Sequence, residues 1–303
     1  MDSGGCHGFM GGAVCRGHMG VNMLLVGGVA FDASAAPPEP IGSVYLTHGH
    51  WDHFSRAGVL AERGARVYAP RLCRVFVEEP RVYWMATLCF HGPVEEAYVT
   101  RYFTGGGVEV SGVVDPGPLP GGLGEALAAP GHTPGSMVYL VDAPGGRVLA
   151  AGDTVYGWSY LESSPFLYHV DTVAWIETLE KLAGLEVDGL VPGHGEPVEG
   201  GREARRLLEA NRGKVLEMLR LVEEQLPGPG EEPVYADEVA ARVAEATGYA
   251  SSRRVYSILC PTVRALLKGL AAMGRAEASI VRGVPAWRRR RGGPQAAIRQ
   301  GGR

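Results

Sequence analysis

The chain has 303 residues, 46% hydrophobic and 20% charged, with 45 Gly and 21 Pro. Collagen-like, disordered and disulfide-dense classes are excluded, and the length suits one large domain plus a small one. The net charge of −4 conceals an asymmetry: residues 1–200 carry 10 basic and 22 acidic side chains (net −12), whereas residues 201–303 carry 19 and 11 (net +8). An imbalance of this size predicts two parts with different jobs. Five scattered cysteines, Cys6, Cys15, Cys73, Cys89 and Cys260, have no CxxC spacing and predict neither a disulfide framework nor a Cys-based zinc site. With no secretory pattern at the start and no apolar stretch near the ~20 residues a bilayer needs, the sequence reads as a soluble cytoplasmic protein.

Residues 1–20 are Gly-rich and fit either a frayed arm or a first strand. Asn22–Asp32 reads as two short strands joined at Gly27-Gly28, a hairpin signal. Ser43–Thr47 is a buried strand, Arg56–Arg63 a helix and Arg66–Ala69 another strand. Further on, Val148–Ala151 and Gly189–Pro192 are strand-like and Val173–Leu182 has helical periodicity. Many short strands with fewer helices predict a layered α/β arrangement. Residues 201–226 change to long helical spacing, and Pro227–Gly230 reads as a linker. Two more helices, Asp237–Thr247 and Thr262–Met273, precede a hairpin of Ala276–Val281 and Pro285–Arg289. That is winged-helix order, followed by a Gly/Arg/Gln-rich tail over 290–303 that reads as disordered.

The chemistry concentrates at strand exits. Thr47–His53 (THGHWDH) holds four potential metal ligands, His48, His50, Asp52 and His53, within six residues. Imidazole and carboxylate suit Zn²⁺ and, less exclusively, Fe or Mn. Alternating His48 and His50 can converge on one ion, while Asp52 and His53, as the loop turns helical, point toward a second. Three single ligands follow, each with Gly beside it: His132 in PGHTPGS, Asp153 in AAGDT and His194 in PGHG. Taken alone, each also fits a turn histidine or a helix-capping aspartate. As an ordered set with the first motif they point to one metal centre.

This order, HxHxDH followed by His, Asp and His, resembles the metallo-β-lactamase superfamily over roughly residues 20–200. The resemblance implies a four-layer α+β sandwich, αββα, with metals at one edge of two facing sheets. It implies two Zn²⁺ per chain, with Fe or Mn as substitutes: His48, His50 and His132 hold the first, Asp52, His53 and His194 the second, and Asp153 bridges both. Asp32 matches the family's early aspartate, which supports the ligands from behind. The implied reaction is hydrolysis by a metal-bridging hydroxide, with Asp52 also orienting it or shuttling its proton. Tyr156 and Tyr160, with His169, fall in an aromatic-rich loop expected to run near the metal mouth and line a substrate pocket. Cys73 and Cys89 lie near no motif and read as core.

His50 argues against the flavodiiron branch and favours hydrolases similar to glyoxalase II, lactonases and RNase Z. The C-terminal helices and hairpin resemble the winged-helix extension in relatives of β-lactamase-like protein 2. The implied organisation is a catalytic domain over 1–200, a connecting helix and linker over 201–230, a winged-helix-like domain over 231–289 and the basic tail over 290–303. Thioester or lactone hydrolysis is the leading expectation. Endonucleolytic cleavage of single-stranded RNA, with the basic part and Trp287–Arg291 holding the polyanion, is the second. A mononuclear iron persulfide dioxygenase and a binding protein with a degenerate site complete the set. No membrane partner is expected, and a homodimer through the C-terminal helices is left open.

Overall fold

The computed structural model describes residues 5–82, 106–249 and 258–291, so Cys89 and the 292–303 part of the tail lie outside the described residues. The chain divides into two compact units, Met1–Ser163 with Thr178–Asn211, and Ser164–Glu177 with Arg212–Arg303.

The first unit opens with a hairpin, β1 (Cys6–Phe9) and β2 (Gly12–Arg16), so residues 1–20 supply strands and not only an arm. Their register places Cys6 opposite Cys15, and the two form a disulfide. One disulfide thus stands where the scattered cysteines predict no disulfide framework. The pairing depends on a tight turn at Met10-Gly11, both at positive φ, which no Cys spacing announces. β3 (Asn22–Val26) and β4 (Val29–Phe31) follow as the expected hairpin, then β5 (Ser43–Tyr45), α1 (Trp51–Phe54), α2 (Ala57–Glu62), β6 (Arg66–Pro70), α3 (Arg74–Glu78) and β7 (Gly112–Val114). These strands form a seven-stranded sheet in sequence order, antiparallel from β1 to β4 and parallel from β4 to β7.

The second sheet contains β8 (Gly117–Pro118), β9 (Gly124–Ala128), β10 (Met137–Ala143), β11 (Gly146–Gly152), β12 (Gly189–Pro192) and β13 (Val198–Glu199). Its order is β13-β12-β11-β10-β9-β8, with only the β11–β12 pair parallel. Between β11 and β13 come α4 (Trp158–Ser163) and α5 (Thr172–Ala183), and after β13 comes α6 (Gly201–Glu224).

Period-two alternation builds the layers. Leu24, Phe31 and Tyr45 face inward and share a core with Met137, Tyr139, Val148 and Val191 of the second sheet. Phe31 packs on Tyr139 at 5.1 Å and Tyr45 stacks on Tyr68 at 5.0 Å, while the Tyr139 hydroxyl donates to Leu46 O at 2.6 Å. The alternate residues Met23, Ala30, Val44, Val67 and Ala69 face outward and are covered by Phe54, Ala57, Leu60 and Val77 from α1 to α3. Residues of α5 and α6 in this unit bury Leu179, Leu182, Leu207 and Leu208. The result is the αββα sandwich.

The second unit contains β14 (Val234–Tyr235), α7 (Ala236–Ala246), α8 (Cys260–Ala272), β15 (Ala276–Val281) and β16 (Val284–Arg289). Its three-stranded antiparallel sheet has the order β14-β16-β15, and the β15–β16 turn is Arg282-Gly283. Val239 and Val243 of α7 are buried, as are Val263, Leu266, Leu267 and Leu270 of α8. No helix among the described residues is long and apolar enough to cross a membrane.

Candidate metal centre

All the ligands suggested by the sequence lie at strand exits on one edge of the sandwich. The β5 ladder ends at Tyr45, short of the expected Thr47, because the Thr47 amide turns to the Asp32 carboxylate at 2.8 Å. The chain then passes His48 and His50 and enters α1 with Asp52 and His53. His132 occupies the turn between β9 and β10, Asp153 follows β11 and His194 follows β12. Two glycines permit this convergence. A Cβ on Gly152 would lie 2.3 Å from Thr47 Oγ1, and one on Gly193 would lie 2.0 Å from Asp153 Oδ1.

One donor atom from each of His48, His50, His132 and Asp153 lies within 4.8 Å of the others, and Asp52, His53 and His194 form a second such group. Asp153 stands between them. Its Oδ2 is 3.6 Å from His132 Nε2, and its Oδ1 is 3.1 Å from His53 Nε2 and 3.6 Å from His194 Nε2. Asp52 Oδ2 is 3.5 Å from His194 Nε2, and His132 Nε2 is 2.9 Å from His50 Nδ1.

Asp32 fixes two of these imidazoles from behind. His53 Nδ1 donates to Asp32 Oδ2 at 2.8 Å. The Thr47 hydroxyl donates to the same carboxylate at 2.9 and 3.0 Å, which leaves its oxygen to accept from His48 Nδ1 at 3.0 Å. Both rings thus point Nδ1–H away from the cluster and Nε2 toward it.

The electrostatics are those of a site made for cations. Burial, reinforced by His53, His50 and His132, keeps His48 neutral far below the usual imidazole range, and burial beside His132 pushes His50 down to about 3. Burial also opposes charge on His53, yet Asp153 and Asp32 outweigh it and raise its pKa well above 6.5. His194 is likewise raised, with Asp153 and Asp52 overcoming burial. Burial works against the Asp52 carboxylate, but the His194 hydrogen bond and the His53 charge bring it down to about 2. His48 Nε2, His53 Nε2 and Asp153 Oδ1 are buried with no aligned hydrogen-bond partner among the described residues. Such atoms are costly when left alone, and each is a good ligand for a hard or borderline divalent cation. The residues fit a metal centre.

Tyr156 and Tyr160 border this cluster. The Tyr156 hydroxyl donates to Asp153 Oδ2 at 3.2 Å and lies 3.5 Å from His132 Nδ1. The two tyrosines stack at 4.7 Å, and Tyr160 stacks on His194 at 5.2 Å. His169 is placed differently: it belongs to the second unit and is fully buried. Its Nδ1 lies 3.0 Å from Leu167 O and its Nε2 2.8 Å from Thr172 Oγ1, so both nitrogens are engaged in local packing. Cys73 is buried, and burial lifts its thiol to about 11.

Several polar residues escaped the sequence reading. Asn22 Nδ2 donates to Pro192 O at 2.9 Å and Gly195 O at 2.8 Å, and Asn22 N donates to Gly193 O at 2.8 Å. Arg16 adds a 2.6 Å bond to Gly195 O, so two strands of the first sheet hold the His194 turn. Asn211 and Thr47 are the others. Nothing in local sequence distinguishes them, since each acts on a group remote in sequence or on main chain.

Residues 27–194 match the family model of the metallo-beta-lactamase superfamily. The probable metallo-hydrolase YflN of Bacillus subtilis strain 168 is 30% identical over 189 residues, which cover 56% of this chain and 70% of that protein. A metallo-beta-lactamase family protein of Thermus thermophilus superposes with a TM-score of 0.64 at 20% identity, covering 92% of this chain and 94% of its own. A beta-lactamase domain protein of Burkholderia ambifaria gives 0.66 at 16% identity, with 95% and 94% covered. The chain belongs to the metallo-β-lactamase superfamily. Within it, the His/Asp cluster and the metallo-hydrolase relative mark a metal-dependent hydrolase.

Proposed function

We propose that the chain is a dinuclear hydrolase that cleaves an ester-type bond, a thioester or a lactone, in a small substrate. The observation that carries this reading is Asp153, a buried carboxylate standing between two groups of histidine and aspartate donors and within reach of both. His48, His50 and His132 would hold one cation, Asp52, His53 and His194 the other, and Asp153 both. Zn²⁺ suits these ligands best, with Fe or Mn as substitutes. Two bound divalent cations supply an acidified water near neutral pH and a Lewis acid for the attacked carbonyl.

The chain's own groups do the rest. Asp52, anionic across the neutral range, orients the attacking water and takes its proton. Tyr156 keeps its phenolic proton, because burial and then the Asp153 charge raise its pKa well above 10. Its hydroxyl donates that proton to Asp153 Oδ2 and so helps to hold the carboxylate that faces both groups. The Tyr156–Tyr160 stack against His194 gives an aromatic wall suited to an acyl chain or lactone ring.

One observation favours a second reading, single-stranded RNA cleavage. The C-terminal part carries net +8, and the exposed stripe of α8 holds Arg264 and Lys268. Against it, Arg264 is already paired with Asp237 at 2.7 Å. A winged-helix role for residues 231–289, a cytoplasmic location and a homodimer belong with this proposal as accessory readings.

The test is a panel of S-acyl thioesters, homoserine lactones and labelled single-stranded RNA, run on the zinc-loaded protein and on Asp153→Ala. Turnover of a thioester or lactone that Asp153→Ala abolishes supports the proposal. RNA cleavage lost in the same variant, with every ester inert, would replace it with the second reading.

A further inference from the structure

Asparagine is a poor helix former, and a buried amide is costly unless its hydrogen bonds are made. Asn211 nevertheless sits inside the 24-residue α6 and is fully buried. Its bonding explains its presence. Oδ1 accepts from Tyr156 N at 2.9 Å, while Nδ2 donates to Tyr156 O at 2.9 Å and to Leu207 O at 2.8 Å. One side chain thus takes both main-chain groups of a single residue 55 positions away, as a neighbouring strand would.

That residue carries the phenol that touches the metal cluster. Tyr156 donates to Asp153 Oδ2, lies 3.5 Å from His132 Nδ1, and its ring runs parallel to His194 at 6.1 Å. On either side of it, Gly157 N donates to His194 O at 2.7 Å and Gly193 N donates to Val155 O at 3.1 Å. The flanking bonds tie this segment to the His194 turn. Asn211 holds the Tyr156 main chain itself at both its N–H and its carbonyl.

We propose that Asn211 is a positioning residue for the metal centre: by clamping the Tyr156 main chain, it keeps the Tyr156 hydroxyl on the Asp153 carboxylate. This rests on the metal-hydrolase reading above. A residue that only anchors a helix to a loop would change stability alone. A residue acting through Tyr156 changes the metal environment and turnover, and loses its effect once the hydroxyl is gone.

The experiment is a double-mutant cycle of Asn211→Leu and Tyr156→Phe in the full chain, with Asn211→Ser as the milder variant should Asn211→Leu fail to fold. The readouts are the visible absorption bands of the Co²⁺-substituted protein, the melting temperature, and kcat and KM on the best ester of the panel. Asn211→Leu or Asn211→Ser is expected to shift the cobalt bands and lower kcat about tenfold, with KM held within about threefold. Tyr156→Phe is expected to reproduce most of both effects. On the Tyr156→Phe background, the Asn211 substitution should then add less than about twofold. Unchanged bands and kcat in folded Asn211 variants overturn the proposal, as does a full additional effect on the Tyr156→Phe background. The cobalt readout needs no substrate: failure of the parent to take up cobalt overturns the metal reading as well, whereas uptake with unmoved bands overturns only the role of Asn211.

Discussion

At the strand ends of the first unit, His48 Nε2, His53 Nε2 and Asp153 Oδ1 are buried and unaligned with any hydrogen-bond partner among the described residues. In the second unit Arg242, Arg264, Arg275 and Arg288 meet Glu238, Asp237, Glu223 and Glu277 on partly or fully exposed surface, above an apolar interior of valine, leucine and alanine. Ionisable residues therefore play opposite parts in the two units. Surface pairs of this kind contribute up to about 1 kcal/mol each and are screened by salt. Crowded buried donors cost stability unless something of opposite charge joins them. That contrast locates the chemistry in the acidic part, although the basic part is the one whose net charge first suggests a ligand.

The contrast breaks most visibly at Asp153. Asp153→Ala should lower ester turnover at least about a thousandfold and reduce the metal held per chain, because it removes the carboxylate facing both groups. If turnover survives within about tenfold, the chemistry lies elsewhere. A smaller loss is expected from Asp32→Asn, which withdraws an acceptor from Thr47 and His53. Metal affinity measured by competition with a chromophoric chelator should fall about 10- to 100-fold. An unchanged affinity would show that the two imidazoles need no support from behind.

Cysteine reactivity sharpens the same comparison. A thiol raised to about 11 has almost no thiolate at neutral pH, so Cys73 should resist iodoacetamide at pH 8 and react only as the pH approaches its pKa. Cys260, in the second unit, is partly exposed and should label before Cys73. Peptide mass spectrometry along a pH series reads the order directly, and prompt labelling of Cys73 would show that the packing under the metal turns is looser than described. The smallest effect belongs to the surface. Arg275→Ala should reduce stability in urea by no more than about 1 kcal/mol, less at high salt, and leave metal content untouched.

Much of this was legible in the sequence because a metal site needs particular donors beside particular backbone. His48 to His53 occupy a single strand exit, and His132, Asp153 and His194 each sit beside glycine at another. The strand runs around Val44, Val148 and Leu190 carry their burial in their composition. What could not be read acts across the chain. Thr47 matters through a hydroxyl that donates to Asp32 and accepts from His48, Asn22 through carbonyls 170 and 173 positions away, and Asn211 through one tyrosine main chain. The Cys6–Cys15 pair likewise exists only once the Met10-Gly11 turn has set the register of β1 on β2. The aromatic-rich stretch reads as one pocket wall, but the local contacts of its members differ: Tyr156 and Tyr160 stack beside His194, whereas His169 packs against Trp175.

In the proposed hydrolase one buried carboxylate, Asp153, serves two cation positions at once. Elemental analysis of the purified protein after zinc reconstitution and desalting tests it most directly. About two zinc ions per chain are expected, and one or none would rule out a carboxylate shared by two cations.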